Sequence, residues 1–412
     1  MSTTRRPALL ILTSAFLAAG ANGISMVAFP WLVLQRTGSA VDASVVAGAA
    51  TLPLLFATLA AGTAVDFLGR RYVAMLSDAM SAVSVAAIPM LALALGTEVL
   101  TTVVLAGLAA LGAFFDPAGM TARQSMLPEA ARRADWTLDH TNSVYEAVFN
   151  LAYITGPGIG GLLIATLGGV HTMWVTAAAF GLSILAMAVL RLEGAGRPSD
   201  DDRPDGVLSG VAEGLKFVWR NKVLRTLGLI DLAVTGLYLP MESVLFPKYF
   251  TDRNEPTELG WVLMALSIGG LIGALSWTAL SRVTNKRTTI LVAVLTFGAA
   301  VLVIACLPPL PVILGSAVIV GLVYGPIGPI YNSVMQTQAP PQLRGRVVGV
   351  MTSMAYAAGP VGFMLAGPLV DAFGLQVTFL ALAVPIVIVG LLCPWLRPLR
   401  DLDSAATAGT GS

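Results

Sequence analysis

Asp231, Thr235, Tyr238 and Glu242 recur at i, i+4, i+7 and i+11 in a run otherwise dominated by Leu, Val and Ile. At about 100° per residue, Asp231 and Glu242 differ by about 20° around a helix and lie about 16 Å apart along it. The spacing predicts one polar stripe on an apolar helix, lining a water-filled cavity. Desolvation favours the protonated form of a carboxyl group, whereas an approaching cation favours the ionised form. A carboxylate on this stripe can therefore carry a proton or a cation, which is antiport in its simplest physical form. Two plainer readings stand beside this one. Glu242 could pair with Lys248, and Asp231 could be a helix-entry residue next to a basic loop.

A second polar face is expected from Asn142, Glu146 and Asn150, continuing to Tyr153 and Pro157. Asn22, Tyr324, Asn332 and Tyr356 are further candidates for a cavity wall, against ordinary packing between helices. Charge inside a membrane span costs about 2.5–3.5 kcal/mol, so each such carboxylate needs a reason. No span centre read from the sequence carries Lys or Arg. A cationic, neutral or zwitterionic substrate therefore fits better than an anionic one.

The elements that must hold these residues follow from composition. Of 412 residues, 56% are hydrophobic and 11% charged. A soluble domain carries about 25% charged residues, so most side chains here must face lipid or each other. The net charge of +1 gives no field for nucleic acid. Cys306 and Cys393 lie in apolar runs without metal-ligand spacing, so buried thiols are expected rather than a disulfide or a metal site. His140 and His171 fall near opposite faces, and no nucleophile–base pair appears, which argues against an enzyme.

Twelve segments are long and apolar enough to span a bilayer: 8–34, 42–66, 73–95, 99–121, 140–166, 172–191, 225–248, 257–281, 288–307, 311–337, 347–371 and 375–396. The first, after Arg5-Arg6-Pro7, is too long for the core of a signal peptide and reads as a retained span. With both termini in the cytoplasm, all of the 24 Lys and Arg except Arg36, Lys248 and Arg253 fall on the inner side. That asymmetry fits the positive-inside rule and a cytoplasmic membrane.

Four regions are expected: a six-helix bundle over 1–192, a cytoplasmic linker over 193–222, a second six-helix bundle over 223–400 and a disordered tail over 401–412. In the linker, Val207, Val211, Leu215 and Val218 recur at helical spacing with Lys216, Arg220 and Lys222 nearby, predicting a helix on the inner membrane surface. The two bundles show a faint repeat. Ala152-Tyr153-Ile-Thr-Gly156-Pro157 matches Ala355-Tyr356-Ala-Ala-Gly359-Pro360.

Between spans two and three stands Gly62-Thr-Ala-Val-Asp66-Phe-Leu-Gly69-Arg70-Arg71. It resembles the loop motif of the major facilitator superfamily. The resemblance implies an all-α integral membrane fold of twelve helices in two six-helix pseudo-repeat bundles. The second-half counterpart, Ser281-Arg282-Val-Thr-Asn-Lys286-Arg287, lacks the aspartate. Gly156-Pro157-Gly-Ile-Gly160-Gly161 is similar to the end of the superfamily's antiporter motif, although Ala152 stands where a further glycine is expected. Export is thereby favoured over uptake.

Four longer stretches narrow the resemblance to the Tap family of multidrug efflux pumps. They run from Phe115 through Asp116, Pro117 and Arg123 to Glu129, from Glu213 to Trp219, from Met241 to Phe250 and from Leu343 to Met351. That resemblance implies antiport driven by the proton gradient, no bound cofactor, and tetracycline- and aminoglycoside-like drugs as substrates. The motif also suggests a gate. Asp66 and Arg70 follow from the resemblance; Asp116 is added here as their partner in a charged latch, with Gly62 and Gly69 allowing close approach. The plainer alternative is that Arg70 and Arg71 only keep their loop inside. Expected partners are drugs or amphiphilic lipids and the bilayer, with the chain a monomer. A lysophospholipid transporter of the same fold is the alternative, its cavity furnished by Met26, Phe29, Met264, Met335 and Met354. A channel is disfavoured, since no filter-like loop or charged ring is visible.

Overall fold

The computed structural model describes residues 5–191, 207–339 and 343–402. Within them the fold is all-α, with twelve segments long and apolar enough to cross a membrane. The helices are α1 (Arg6–Thr37), α2 (Ala40–Leu68), α3 (Arg70–Leu95), α4 (Thr102–Ala134), α5 (Leu138–Leu167), α6 (Gly169–Val189), α7 (Val207–Arg220), α8 (Lys222–Pro240), α9 (Phe246–Thr251), α10 (Pro256–Leu280), α11 (Lys286–Ala305), α12 (Leu310–Tyr324), α13 (Ile327–Gln338), α14 (Arg344–Phe373) and α15 (Leu375–Leu392). Span seven consists of α8, a π-helical turn at Met241–Leu245 and α9. Span ten consists of α12 and α13.

Short polar caps start many of these helices. Ser39, Thr101, Thr137, Asn221 and Asn285 each accept a hydrogen bond from a backbone N–H of the following turn. Apolar side chains such as Leu93, Val103 and Met364 stay exposed, forming outer faces suited to lipid hydrocarbon. The short α7 confirms the helix expected in the linker. Its Val218 is buried, whereas Leu215 and Trp219 face outward. Residues 193–206 and 403–412, which hold the rest of the expected linker and most of the tail, lie outside the described residues.

The chain forms two compact units, Met1–Arg203 with Phe246–Met264, and Pro204–Leu245 with Ala265–Ser412. The first unit thus extends beyond the expected 1–192 bundle. Its reason is local: α9 rests on α1, and the start of α10 rests on α5. A Cβ built on Gly161 would lie 2.4 Å from Pro256 O and 3.2 Å from Gly260 Cα. Repeat character shows in the turns before the last helix of each half. Gly168 (φ 81°, ψ 157°) and Gly374 (φ 82°, ψ 166°) have nearly the same backbone conformation.

Three boundaries differ from expectation. Span four continues to Ala134 instead of ending near 121, because Arg123 is not a loop residue but a buried one. Span seven carries a π turn, so its residues do not keep a constant 100° step. Span ten is interrupted at Gly325–Pro326, where proline offers no N–H to the Leu322 carbonyl. That carbonyl lies against Gly273, where a Cβ would come within 2.1 Å of it.

Candidate functional site

In the second unit, Asp231 lies on α8 and accepts a hydrogen bond from Tyr324 Oη at 2.9 Å, with Thr235 Oγ1 at 3.5 Å. Tyr324 is the last residue of α12, directly before the interruption of span ten. Thr235 Oγ1 and Tyr324 Oη are 3.3 Å apart, closing a small ring of hydroxyls around one carboxylate oxygen. Asp231, Phe297, Tyr324 and Tyr331 line a pocket completed by aliphatic side chains. Its volume of about 10 Å³ is the space of a single water-sized group. Tyr331 Oη is committed to the Leu227 carbonyl at 3.1 Å. Among the described residues, no cation pairs with Asp231.

The other predicted members of this stripe diverge from it. Tyr238 is buried and packs edge-on against Phe297, with ring centroids 5.1 Å apart. Among the described residues its hydroxyl has no hydrogen-bond partner, and Glu242 lies within electrostatic reach of it. Glu242 sits half-buried in the π turn, whose wider winding departs from the constant α-helical step assumed for the stripe. Its anticipated alternative partner is engaged elsewhere: Lys248 Nζ donates to Asp252, 2.6 Å from Oδ2. Asn332 is exposed on α13. The Tyr356 side chain lies outside the described ones.

In the first unit a different cluster dominates. Arg123 on α4 donates to both carboxylate oxygens of Asp78 on α3, and its Nε donates to Ser14 Oγ of α1 at 2.9 Å. Ser183 Oγ of α6 lies 2.6 Å from Asp78 Oδ2 and 2.7 Å from Ser14 Oγ. One buried ion pair thus ties four helices together. The expectation of no arginine concerns span centres, and a longer α4 brings Arg123 inside a span: it is 5% exposed, and Asp78, 2% exposed, neutralises it. It is therefore no free site for an anion. Two lone charges in apolar helices and the serines of α3 at helical spacing were the available signals. Their pairing was not readable, because the partners are 45 residues apart.

Asp116 is also placed differently. It lies 18 residues before the end of α4, well inside the helix, and accepts from Ser81 Oγ at 2.8 Å. Asn22 of α1 comes within hydrogen-bonding reach of the same carboxylate. The guanidinium whose charge reaches Asp116 is that of Arg123, on the same helix. The side chain of Asp66 and position Gly62 lie outside the described ones. Arg71 donates to the Ala188 carbonyl at the end of α6, where a cation complements the helix dipole. Gly69 joins α2 and α3 with φ 89° and ψ 139°. Few residues with a Cβ adopt that conformation, so Gly69→Ala should cost about 1–3 kcal/mol. Thermal unfolding in detergent checks this, and an unchanged midpoint would contradict it.

The antiporter-like glycines act as contact points. A Cβ on Gly156 would lie 2.7 Å from Gly23 Cα, and one on Gly160 would lie 3.1 Å from Ile24 Cα, so α5 and α1 meet backbone to backbone. Pro157 sits buried between these two glycines. On the same helix Glu146 is exposed, and Asn150 Nδ2 donates to the Glu146 carbonyl at 2.8 Å. Tyr145, Phe149 and Tyr153 stack in sequence beside them. Cys393 is buried, but Cys306 at the end of α11 is exposed, contrary to expectation.

The model of the Major Facilitator Superfamily matches residues 11–363 and 256–412. The chain is 67% identical over 405 residues to the Multidrug efflux pump Tap of Mycolicibacterium fortuitum, covering 98% of this chain and 99% of that protein. It is 63% identical over 407 residues to the protein of the same name from Mycobacterium tuberculosis (strain ATCC 25618 / H37Rv), covering 99% and 97%. Macrolide efflux protein A of Streptococcus pyogenes is 22% identical over 93% of this chain and 94% of its own. The crystal structure of nucleoside transporter NupG has a TM-score of 0.78 at 11% identity, covering 95% of this chain and 98% of that one. At that identity the likeness concerns the fold alone.

Proposed function

The chain belongs to the Major Facilitator Superfamily as a multidrug efflux pump, and from that premise we propose that it is a proton-coupled antiporter working by alternating access. Its substrates in this reading are drugs of the tetracycline and aminoglycoside kind, both of which carry an ammonium group. Its place is the cytoplasmic membrane, with both termini inside, and it acts as a monomer.

One observation carries the reading. Asp231 is a carboxylate within a membrane span whose hydrogen-bond donors, among the described residues, are neutral hydroxyls. An unpaired charge there is costly, so the group calls for either a proton or a substrate cation. The pocket admits one ammonium-sized group, and the faces of Phe297, Tyr324 and Tyr331 are suited to hold a cation. Proton and drug then exclude each other at Asp231. The Tyr324 hydroxyl stabilises the ionised form, and the weakened backbone at Gly325–Pro326 allows that tyrosine to move.

The test is transport in proteoliposomes with an imposed pH gradient, comparing tetracycline, an aminoglycoside and a lysophospholipid. Both drugs should accumulate, and Asp231→Asn should lower the apparent affinity for them about 10–100-fold, the equivalent of a lost charge-assisted hydrogen bond. Robust lysophospholipid movement with no drug transport would overturn the substrate assignment. Undiminished drug affinity in Asp231→Asn would overturn the role of Asp231.

A further inference from the structure

Two acids of the first unit, Asp78 and Asp116, lie in the field of one guanidinium, and only Asp78 is hydrogen-bonded to it. Arg123 is committed to Asp78 and Ser14, and Ser183 completes the shell of Asp78. Asp116 lies seven residues before Arg123 on α4, about 10 Å along the helix, and among the described residues its donors are the neutral Ser81 and Asn22. Long helical side chains point back toward the N-terminus, which aims Arg123 along the face that carries Asp116. Between the two stands Gly119. A Cβ there would lie 2.4 Å from Ser77 Oγ and 3.3 Å from Arg123 Nη1, so the glycine makes room for Ser77 and leaves the guanidinium next to its open face.

The charged and titratable groups around Asp116 are Asp78 of α3 and Arg123 of its own helix. Tyr145 of α5 faces Arg123 and Asp78, with Glu146 next to it. With both acids ionised, two carboxylates meet one guanidinium and one negative charge stays uncompensated. In the interior of a helical unit that state is costly, and one bound proton removes it. We propose that Asp78, Arg123 and Asp116 together hold one exchangeable proton, which resides on Asp116 while Arg123 pairs with Asp78. On release the O–H bond of Asp116 breaks, the proton passes to water, and the electron pair remains on the carboxylate. The new anion then draws Arg123 across Gly119. This proton is separate from the one displaced by drug at Asp231, and the proposal rests on the proton-driven reading above.

The experiment uses the full chain in proteoliposomes and measures drug-coupled proton flux, and separately drug–drug exchange at equal pH on both sides. Asp116→Asn keeps the acceptor for Ser81, so exchange should proceed at the wild-type rate. Coupling should lose one proton per drug, lowering the drug gradient reached at a one-unit pH difference about tenfold. Asp116→Glu should restore it. In infrared spectra Asp116→Asn should remove one protonated-carboxyl C=O band, and Asp231→Asn a different one. An unchanged proton-to-drug ratio would overturn the assignment. Equal loss of exchange and coupling, unrelieved by Asp116→Glu, would also overturn it by showing a structural role. A wild-type chain that moves drug without protons would remove the proton-driven reading itself, a result distinct from both.

Discussion

Arg123→Ala should destabilise the first helical unit by about 3–5 kcal/mol, the largest effect expected of any single change here. The substitution leaves Asp78 buried with its charge uncompensated and, among the described residues, Ser183 as its remaining donor. Asp78→Ala should do the same to Arg123. The pair is nevertheless not an efficient source of stability, because both ions must be stripped of water. Replacing the two together by apolar residues of similar size, Asp78→Leu with Arg123→Met, should therefore recover most of the loss. Thermal unfolding of the purified chain in detergent micelles measures all three. If the double variant proves no more stable than the worse single one, the pair is not what holds α3 and α4 together. The double variant should still fail in coupling, since it lacks the guanidinium.

The second large effect is expected at Gly156. Its Cβ would meet Gly23 Cα at 2.7 Å and Gly20 O at 2.9 Å. Both obstacles are backbone, so neither can turn aside, and α1 and α5 must separate. Overpacking of this kind costs about 1–3 kcal/mol, and more where a long helical contact is lost. Gly181→Ala supplies the matched control. Position 181 is also in a helix, with nothing within 4 Å of a built Cβ. There alanine should be neutral or stabilising by up to about 1 kcal/mol. Equal midpoints for the two variants would show that the close approach of α1 and α5 contributes nothing to stability.

Gly156 also shows what a motif conveys. As a string it resembled an antiporter signature; as a structure it is the place where two helices lack room for a side chain. Gly69 behaves alike, its role visible as a φ of 89° between α2 and α3. Of the charged latch expected at that loop, Asp116 is placed elsewhere, and the Asp66 side chain lies outside the described ones. Arg71 serves the end of α6, and Asp116 sits with Ser81, Asn22 and Arg123 well inside α4. The stripe of span seven is likewise reduced. Asp231 keeps its predicted polar character and gains Tyr324 as partner, while Tyr238 packs against Phe297 and Glu242 lies in a π turn.

The difference between these outcomes is one of range. Twelve spans, their caps, the turn glycines and the helix over 207–220 depend on a few neighbouring residues: apolar length, a side-chain oxygen before a first turn, a missing Cβ. Such signals are complete in the sequence, because bilayer thickness and backbone hydrogen bonding impose the same local demands on any chain. Pairings across the fold have no local signature. Asp78 meets Arg123 across 45 residues, Asp231 meets Tyr324 across 93, and Ser14 meets Ser183 across 169. A charge in an apolar helix announces only that a partner must exist, since burying it alone is too costly. Which partner answers, and whether a proton takes its place, is decided by the tertiary packing that brings those side chains within about 3 Å.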